Sequence, residues 1–307
     1  MRLRPGPQRH RLAALSLVRR RQVLAALAGL ALLPAAAPIP ARRIVALDWG
    51  LAETLIAIGA PPVGVPETRT YADWVVSPAL PPGTADVGLR VEPNLEILQQ
   101  LAPDLILAIA EHETVRPLLE RIAPVLSLPI YGPEGTPYTV AQAATRRLGA
   151  VTGRTAEAEA LTLRAEETMA SARARLTTSA DARPVIVASF LDGRHVRIYA
   201  RHGLFDAVLA RIGLANAWQG PTNAWGFATV GLEALAEMPE ARLVLLEPLP
   251  RETARTFRDS PLWNNLPMAR DGRVLRLPPV LMFGTLPAAM RFCTLLTDAL
   301  TGENGHG

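Results

Sequence analysis

One stretch of this chain, from Thr152 to about Leu176, contains no proline, although the whole sequence holds 28. It is built mainly from Ala, Glu, Arg and Leu, which are strong helix formers. It predicts a single helix of about 25 residues, roughly 37 Å long at about 1.5 Å per residue. The segments on either side echo each other. Leu95-Glu96-Ile97-Leu98, followed by Pro103-Asp104 and an apolar run, is matched by Leu232-Glu233-Ala234-Leu235, followed by Pro239-Glu240 and Leu243–Leu246. Leu55–Gly59 (LIAIG) likewise matches Leu209–Gly213 (LARIG). Two related halves flanking one long helix predict two lobes with a cleft between them, a common seat for a small ligand.

Each half alternates strand and helix. The first half reads as a strand at Arg43–Leu47, a helix over about Leu51–Ile58 stopped by Gly59, and a strand at Pro62–Val65. An Asn94-capped helix over Leu95–Leu101, a strand at Leu105–Ile109, a helix near Val115–Ile122 and a strand near Val125–Leu128 follow. The second half opens with Pro184–Ala188, Asp192-Gly193 suggests a hairpin, and a last helix covers about Pro287–Leu300. The fold class is therefore α/β: two lobes with mainly parallel sheets joined by one long interlobe helix. The expected organisation is a signal peptide over 1–41, an N-terminal lobe over 42–150, the connecting helix over 151–178, a C-terminal lobe over 179–302 and a polar tail over 303–307.

The formal charge of +4 invites a nucleic-acid reading, but its distribution removes it. Residues 1–43 carry nine arginines and no acid, which leaves 23 arginines against 28 acids, a net of −5, in the body. Such a body has no evident footprint for a phosphate backbone. The basic residues belong to a leader. Arg19-Arg20-Arg21-Gln22-Val23-Leu24 precedes an apolar core, Val23–Leu33, whose 11 residues are too few to span a bilayer. Pro34, Pro38 and Pro40 then break any helix, and Ala35–Ala37 and Ala41 are candidate cleavage positions. This is signal-peptide architecture with a twin-arginine-like head; a general secretory signal and an uncleaved anchor are the alternatives. With no cysteine near the cleavage region, a periplasmic protein without a lipid anchor is expected. The one cysteine, Cys293, cannot form an internal disulfide and reads as a small buried residue of the last helix.

No nucleophile elbow, phosphate loop, HExxH pair or dinucleotide glycine fingerprint occurs. The five histidines, His10, His112, His195, His202 and His306, have no zinc-like spacing with cysteine. The chain is accordingly read as a binding protein and not an enzyme. Recognition residues are sought among tryptophans of the loops: Trp49 after the first strand, Trp74 in a proline-rich loop, and Trp218 and Trp225 around Gln219–Ala224. Each reads either as packing or as part of a recognition surface. Arg90, in the loop Asp86–Asn94, reads either as a surface ion pair with Glu92 or Asp86 or as a guanidinium fork aimed at ligand oxygens.

The stretches RIVALDWG (43–50), DVGLRVEPNLEIL (86–98), NAWQGPTNAWG (216–226) and GRVLRLPPV (272–280) carry a more specific signal. Through them the chain, over about Arg43–Leu300, resembles the periplasmic ferric hydroxamate-binding proteins, class III substrate-binding proteins of ABC importers. The leader also resembles their twin-arginine signal. The resemblance implies a monomer whose lobes move little, a ferric siderophore as ligand and an inner-membrane ABC permease as partner. The iron would arrive fully chelated, so no protein metal site and no cofactor are implied. Arg90 falls on the position that donates to hydroxamate oxygens; Trp74 and Trp225 fall on aromatic pocket positions, and Trp49 is a third. His112 stands where the family has a contacting tyrosine. Leu281, beside Met282 and Phe283, stands where it has a pocket tryptophan. Glu53 matches an N-lobe permease-docking acid; the C-lobe position falls on Ala207, with Asp206 as its neighbouring substitute. A catecholate siderophore, haem or cobalamin on the same fold is the alternative cargo, and a periplasmic enzyme on this scaffold is a third reading.

Overall fold

Ile44-Val45-Ala46 forms the first strand, β1, and all three residues are buried, as the central strand of a two-faced sheet requires. The computed structural model describes residues 40–132, 136–177, 183–249 and 260–302, which all belong to one unit beginning at Pro40. Of the expected signal peptide only Pro40 and Ala41 lie inside the described residues. Residues 179–182 of the C-lobe, the 303–307 tail, His10 and His306 lie outside them.

The N-lobe continues with helix α1 (Trp49–Ala57), β2 (Gly64–Val65), α2 (Thr68–Trp74), β3 (Ala85–Asp86), α3 (Leu95–Leu101) and β4 (Leu105–Ala108). A 3-10 turn (Ala110–His112), α4 (Arg116–Leu119) and β5 (Val125–Ser127) complete its sheet region. Strand order is β3-β2-β1-β4-β5, with every pairing parallel. The helix starts are written locally. The Asp48 carboxylate accepts the Leu51 N–H at 2.9 Å, and Asn94 accepts those of Glu96 and Ile97 at 3.0 and 3.1 Å.

Two helices then run back to back: α5 (Pro137–Thr152) and α6 (Thr155–Thr177). The long helix therefore starts at Thr155, with 23 residues, and residues 151–152 belong to the helix before it. The break is Gly153, whose φ of 70° ends α5 in a left-handed cap that a residue with a side chain resists. α5 and α6 approach closely at Gly149, where an added Cβ would come within 2.5 Å of the Ala158 Cβ.

The C-lobe comprises β6 (Val185–Phe190), β7 (His195–Tyr199), α7 (Leu204–Ile212), β8 (Phe227–Gly231), a 3-10 segment (Leu232–Glu237) and β9 (Arg242–Leu246). Short helices α8 (Pro261–Asn265) and α9 (Pro267–Arg270), β10 (Val274–Leu277) and α10 (Leu286–Thr301) follow. Strand order is β10-β9-β6-β7-β8; β6–β7 and β7–β8 are antiparallel and the rest parallel. The hairpin turns at residues 191–194, around Asp192-Gly193.

The period of two along a strand divides the cores. Ile44 and Ala46 of β1 and Val185 and Val187 of β6 face one shared cluster that includes α5, α6 and α10. Val45 and Leu47 face a second core inside the N-lobe, and Ile186 and Ala188 face a third inside the C-lobe. α6 contributes Ala158, Leu161, Thr162, Ala165, Met169 and Ala172 at helical spacing to its buried side. A core shared by both sheets ties the lobes together; swinging them apart would expose it. Among the described residues no helix is long and apolar enough to cross a membrane.

Candidate functional site

In the N-lobe the chain leaves β1 toward β2 on one side and reaches β4 on the other, so the carboxyl ends of β1 and β4 form a switch point, where open α/β sheets bind ligands. A cavity of about 470 Å³ opens there, facing the C-lobe. Leu47 and Asp48 enter it from the end of β1, Ile109, Glu111 and His112 from the end of β4, and Glu67, Arg90 and Val91 from the loops after β2 and β3. The opposing wall is Arg197 of β7, Trp225 and Phe227 at the entry to β8, and Phe283 after β10.

Arg90 is held from three directions. Its Nε donates to Glu67 Oε2 at 3.1 Å and its backbone N–H to Glu67 Oε1 at 3.1 Å. Its guanidinium carbon lies 3.9 Å from the centre of the Trp49 ring, a cation–π geometry. Its carbonyl accepts from the His112 ring Nε2 at 2.7 Å. The two Nη groups have no protein partner among the described residues, so four donor hydrogens remain for a ligand. The ion pair is thus made with Glu67, not with Asp86 or Glu92. Asp86 is committed to the turn beneath. Burial pushes its carboxyl up, but hydrogen bonds from Gly88, Thr68 and Glu67 outweigh this and hold it below the usual range.

His112 is buried and its role is fixed by its bonds. The Ile109 N–H donates to Nδ1 at 3.2 Å, so the ring's proton sits on Nε2, where it is donated to the Arg90 carbonyl. With both nitrogens engaged, His112 braces the Arg90 loop; it has no donor left for a hydroxamate and no lone pair for a haem iron. Asp48 is raised above the usual carboxylate range by desolvation, against the opposing pull of its Leu51 hydrogen bond and of the Arg90 charge.

The aromatic residues form one cluster across the lobes. Tyr131, following β5, stacks on Trp225 with ring centres 5.6 Å apart and meets Phe283 edge-on at 5.7 Å. Trp225 and Phe283 are 5.0 Å apart, and Phe227 is 6.0 Å from Phe283. The Tyr131 hydroxyl donates toward the carbonyls of Gly284 and Met282, at 3.0 and 3.2 Å, fixing the segment that carries Phe283.

Four expected positions fall elsewhere. Trp49 lies in the first turn of α1, not a loop, and is only 3% exposed; its indole N–H donates to the Pro66 carbonyl at 2.9 Å. It supports Arg90 from below and does not form the cavity wall. Trp74 ends α2 and packs half-buried on the shared core, away from the cavity lining. Leu281 is 5% exposed and packs into the same core; the apolar wall is Phe283, two residues on. Glu53 has no exposed surface at all, so it cannot present an acid to a membrane partner. Its Oε1 instead accepts from the Thr285 N–H at 2.6 Å, the Thr285 hydroxyl at 3.0 Å and the Ala288 N–H at 3.4 Å, at the N-cap and first turn of α10. Burial pushes its carboxyl up to about 8 in spite of these bonds. Asp206, on α7, is half-buried and accepts from Asn216 Nδ2 at 3.0 Å.

The sequence reading missed Glu67, Tyr131, Arg197 and Phe227. Among the described residues no three His, Cys, Asp or Glu side chains cluster as a metal site.

Comparison with known proteins completes the picture. The profile of the family described as periplasmic binding protein matches residues 44–281. The chain is 32% identical over 297 residues to the iron(3+)-hydroxamate-binding protein FhuD of Escherichia coli (strain K12), covering 95% of this chain and 100% of that one. It is 26% identical over 245 residues to the Fe(3+) dicitrate-binding periplasmic protein FecB of the same organism, covering 76% and 75%. Among solved structures, the Fe3+-Desferal-bound siderophore-binding protein FhuD from Vibrio cholerae superposes with a TM-score of 0.80 at 29% identity, covering 85% of this chain and 98% of that one.

Proposed function

The chain belongs to the periplasmic binding protein family, and from that premise we propose that it captures ferric hydroxamate siderophores in the cleft between its lobes. The family's members are binding proteins and not enzymes. The observation that carries the reading is Arg90: a cation braced by Glu67, Trp49 and His112, with both Nη groups free, facing an aromatic wall. Hydroxamate oxygens around ferric iron are electron-rich acceptors that a planar fork of this kind can engage, while Trp225, Phe227 and Phe283 cover the aliphatic body of the ligand. The iron stays in its chelate and is cargo; the protein touches the siderophore.

In this reading the chain is exported by its twin-arginine-like leader, loses that leader and works as a monomer in the periplasm without a lipid anchor. It delivers its cargo to an ABC permease of the inner membrane. Asp206 on α7 is the docking acid proposed for the C-lobe; Glu53 is removed from that role by its burial. The engaged nitrogens of His112 count against haem as the cargo.

Titration of tryptophan fluorescence with ferrichrome-type and ferrioxamine-type complexes tests the reading. Saturable quenching at micromolar concentration or below, about −8 kcal/mol or better, is expected. No saturable change with any ferric hydroxamate would overturn it.

A further inference from the structure

The C-lobe wall contains a cation whose charge nothing in the cavity neutralises. Arg197 projects from β7 on the same sheet face as Tyr199, because the two are separated by one residue. Tyr199 pairs directly with Phe227 across the β7–β8 ladder, which places Phe227 diagonally beside Arg197. The Arg197 guanidinium carbon lies 4.3 Å from the centre of the Phe227 ring. Its Nη1 points at the Met282 thioether, a weak acceptor, at 3.4 Å. Its Nε is buried and has no hydrogen-bond partner, and the neighbouring Tyr199 hydroxyl, bonded to Ser189 at 2.9 Å and to Met282 at 2.8 Å, gives the guanidinium a neutral polar contact and no negative charge.

The acids of the cavity do not relieve it. Glu67 is paired with Arg90, and the cation that acts on Asp48 is Arg90, on its own lobe. Glu111 is exposed at the rim. Among the described residues Arg197 makes no ion pair. A guanidinium half-removed from water, on a wall of Trp225, Phe227 and Phe283, has lost hydration without gaining a carboxylate. An aromatic face, a sulfur atom and the Tyr199 hydroxyl, all neutral, replace only part of that loss. The missing partner is an anion brought by the ligand. Hydroxamate oxygens are reached from the N-lobe by Arg90; Arg197 lies across the cavity, where the ligand's periphery would sit.

We propose that Arg197 makes this cleft select ferric hydroxamates that carry an additional carboxylate beside the chelate. The proposal rests on the hydroxamate reading and narrows it to a charge class. In the complex Arg90 engages the iron-bound oxygens and Arg197 pairs with the peripheral carboxylate.

Three ferric complexes of desferrioxamine, differing only at the terminal amine, test this. One keeps the free ammonium, one is acetylated and neutral, and one is succinylated and ends in a carboxylate. The wild type is expected to bind the succinylated complex at least tenfold more tightly than the ammonium form, about 1.4 kcal/mol, with the acetylated complex between them. In Arg197→Met, which keeps an unbranched apolar side chain, the succinylated-to-ammonium ratio is expected to fall to within about twofold. In Arg197→Lys the preference is expected to persist in part, since the charge remains. Each ratio compares two ligands on one protein sample, so a partly unfolded variant does not distort it. Equal binding of the three complexes by the wild type, or an undiminished preference in Arg197→Met, overturns the proposal and leaves the hydroxamate reading standing. No binding of any of the three overturns the proposal; if ferrichrome-type complexes also fail to bind, the hydroxamate reading falls with it.

Discussion

The two lobes are built on one plan, and the cleft owes its character to the place where they differ. In the N-lobe, α1 ends at Gly59 and the chain returns as β2, parallel to β1. In the C-lobe, α7 ends at Gly213 and the chain returns alongside β6, but only Asn216 pairs, in a single parallel bridge to Val185. The edge that β2 occupies beside β1 is taken, beside β6, by β7, which forms an antiparallel hairpin with it. That insertion carries Arg197 and, through β8, Phe227 into the cavity. The N-lobe, whose pairings are all parallel, presents loops at the carboxyl ends of its strands instead: Asp48, Glu67, Arg90 and His112. One lobe supplies directional polar groups and the other apolar area with a single unneutralised cation. The matching segments of the two halves account for the shared frame, and the inserted hairpin accounts for the asymmetry of the site.

If that division is right, removing the N-lobe fork is the most damaging single change. Arg90→Ala is expected to weaken ferric hydroxamate binding by roughly ten- to hundredfold, since a hydrogen bond to a charged group contributes about 1.5–3 kcal/mol; isothermal calorimetry measures it. Unchanged affinity would return Arg90 to a surface ion pair with Glu67. On the other wall, Trp225→Ala is expected to cost roughly two- to tenfold, from an aromatic contact of about 0.5–1.5 kcal/mol. A larger loss than for Arg90→Ala would reverse the assignment of roles.

The junction of the lobes gives a pH-dependent prediction. Unfolded Glu53 ionises near 4.5, whereas in the fold burial moves it to about 8. Between these values the unfolded chain has released the proton and the folded one keeps it, so stability falls as pH rises through the window. Glu53→Gln keeps an acceptor oxygen for Thr285 and cannot ionise. Its melting temperature relative to the wild type is therefore expected to rise from pH 5 to pH 8; a constant difference would show that Glu53 is ionised in the fold throughout. The smallest effect on binding is expected at Asp206, outside the cavity. Asp206→Ala should leave siderophore affinity within about twofold, because its side chain bonds Asn216 away from the cavity lining, while lowering uptake in cells; a large loss of affinity would place it at the ligand instead of at the permease.

What the sequence could reveal followed the range of the interaction. The Asn94 cap, the Gly59 stop and the Asp192-Gly193 hairpin are set within a few residues, and each was readable. So was the long helix, although not its start. Gly153 interrupts a run of helix formers, and the Thr136-Pro137 signature that opens α5 marks a separate helix before it. Arg90 was readable as an arginine in a loop, but its partner was not. Glu67 lies 23 residues away and is aimed by a left-handed turn at φ 51°. Arg197 and Phe227 depend on strand register, which decides which face of β7 looks into the cleft. Trp49 and Leu281 were misplaced because an apolar residue beside a site and one lining it look alike in sequence. Glu53 is the one acid in Trp49–Leu55, a helical stretch in which every residue is buried, and its apolar neighbours are the local sign of its burial.

Hydrogen exchange of the wild-type protein with and without ferric desferrioxamine tests the shared cleft most directly. Protection is expected in both lobes at once, over residues 86–94 and 109–112 of the N-lobe and residues 195–199 and 225–231 of the C-lobe. Protection confined to one lobe, or found only along α6 and α10, would contradict a ligand held between them.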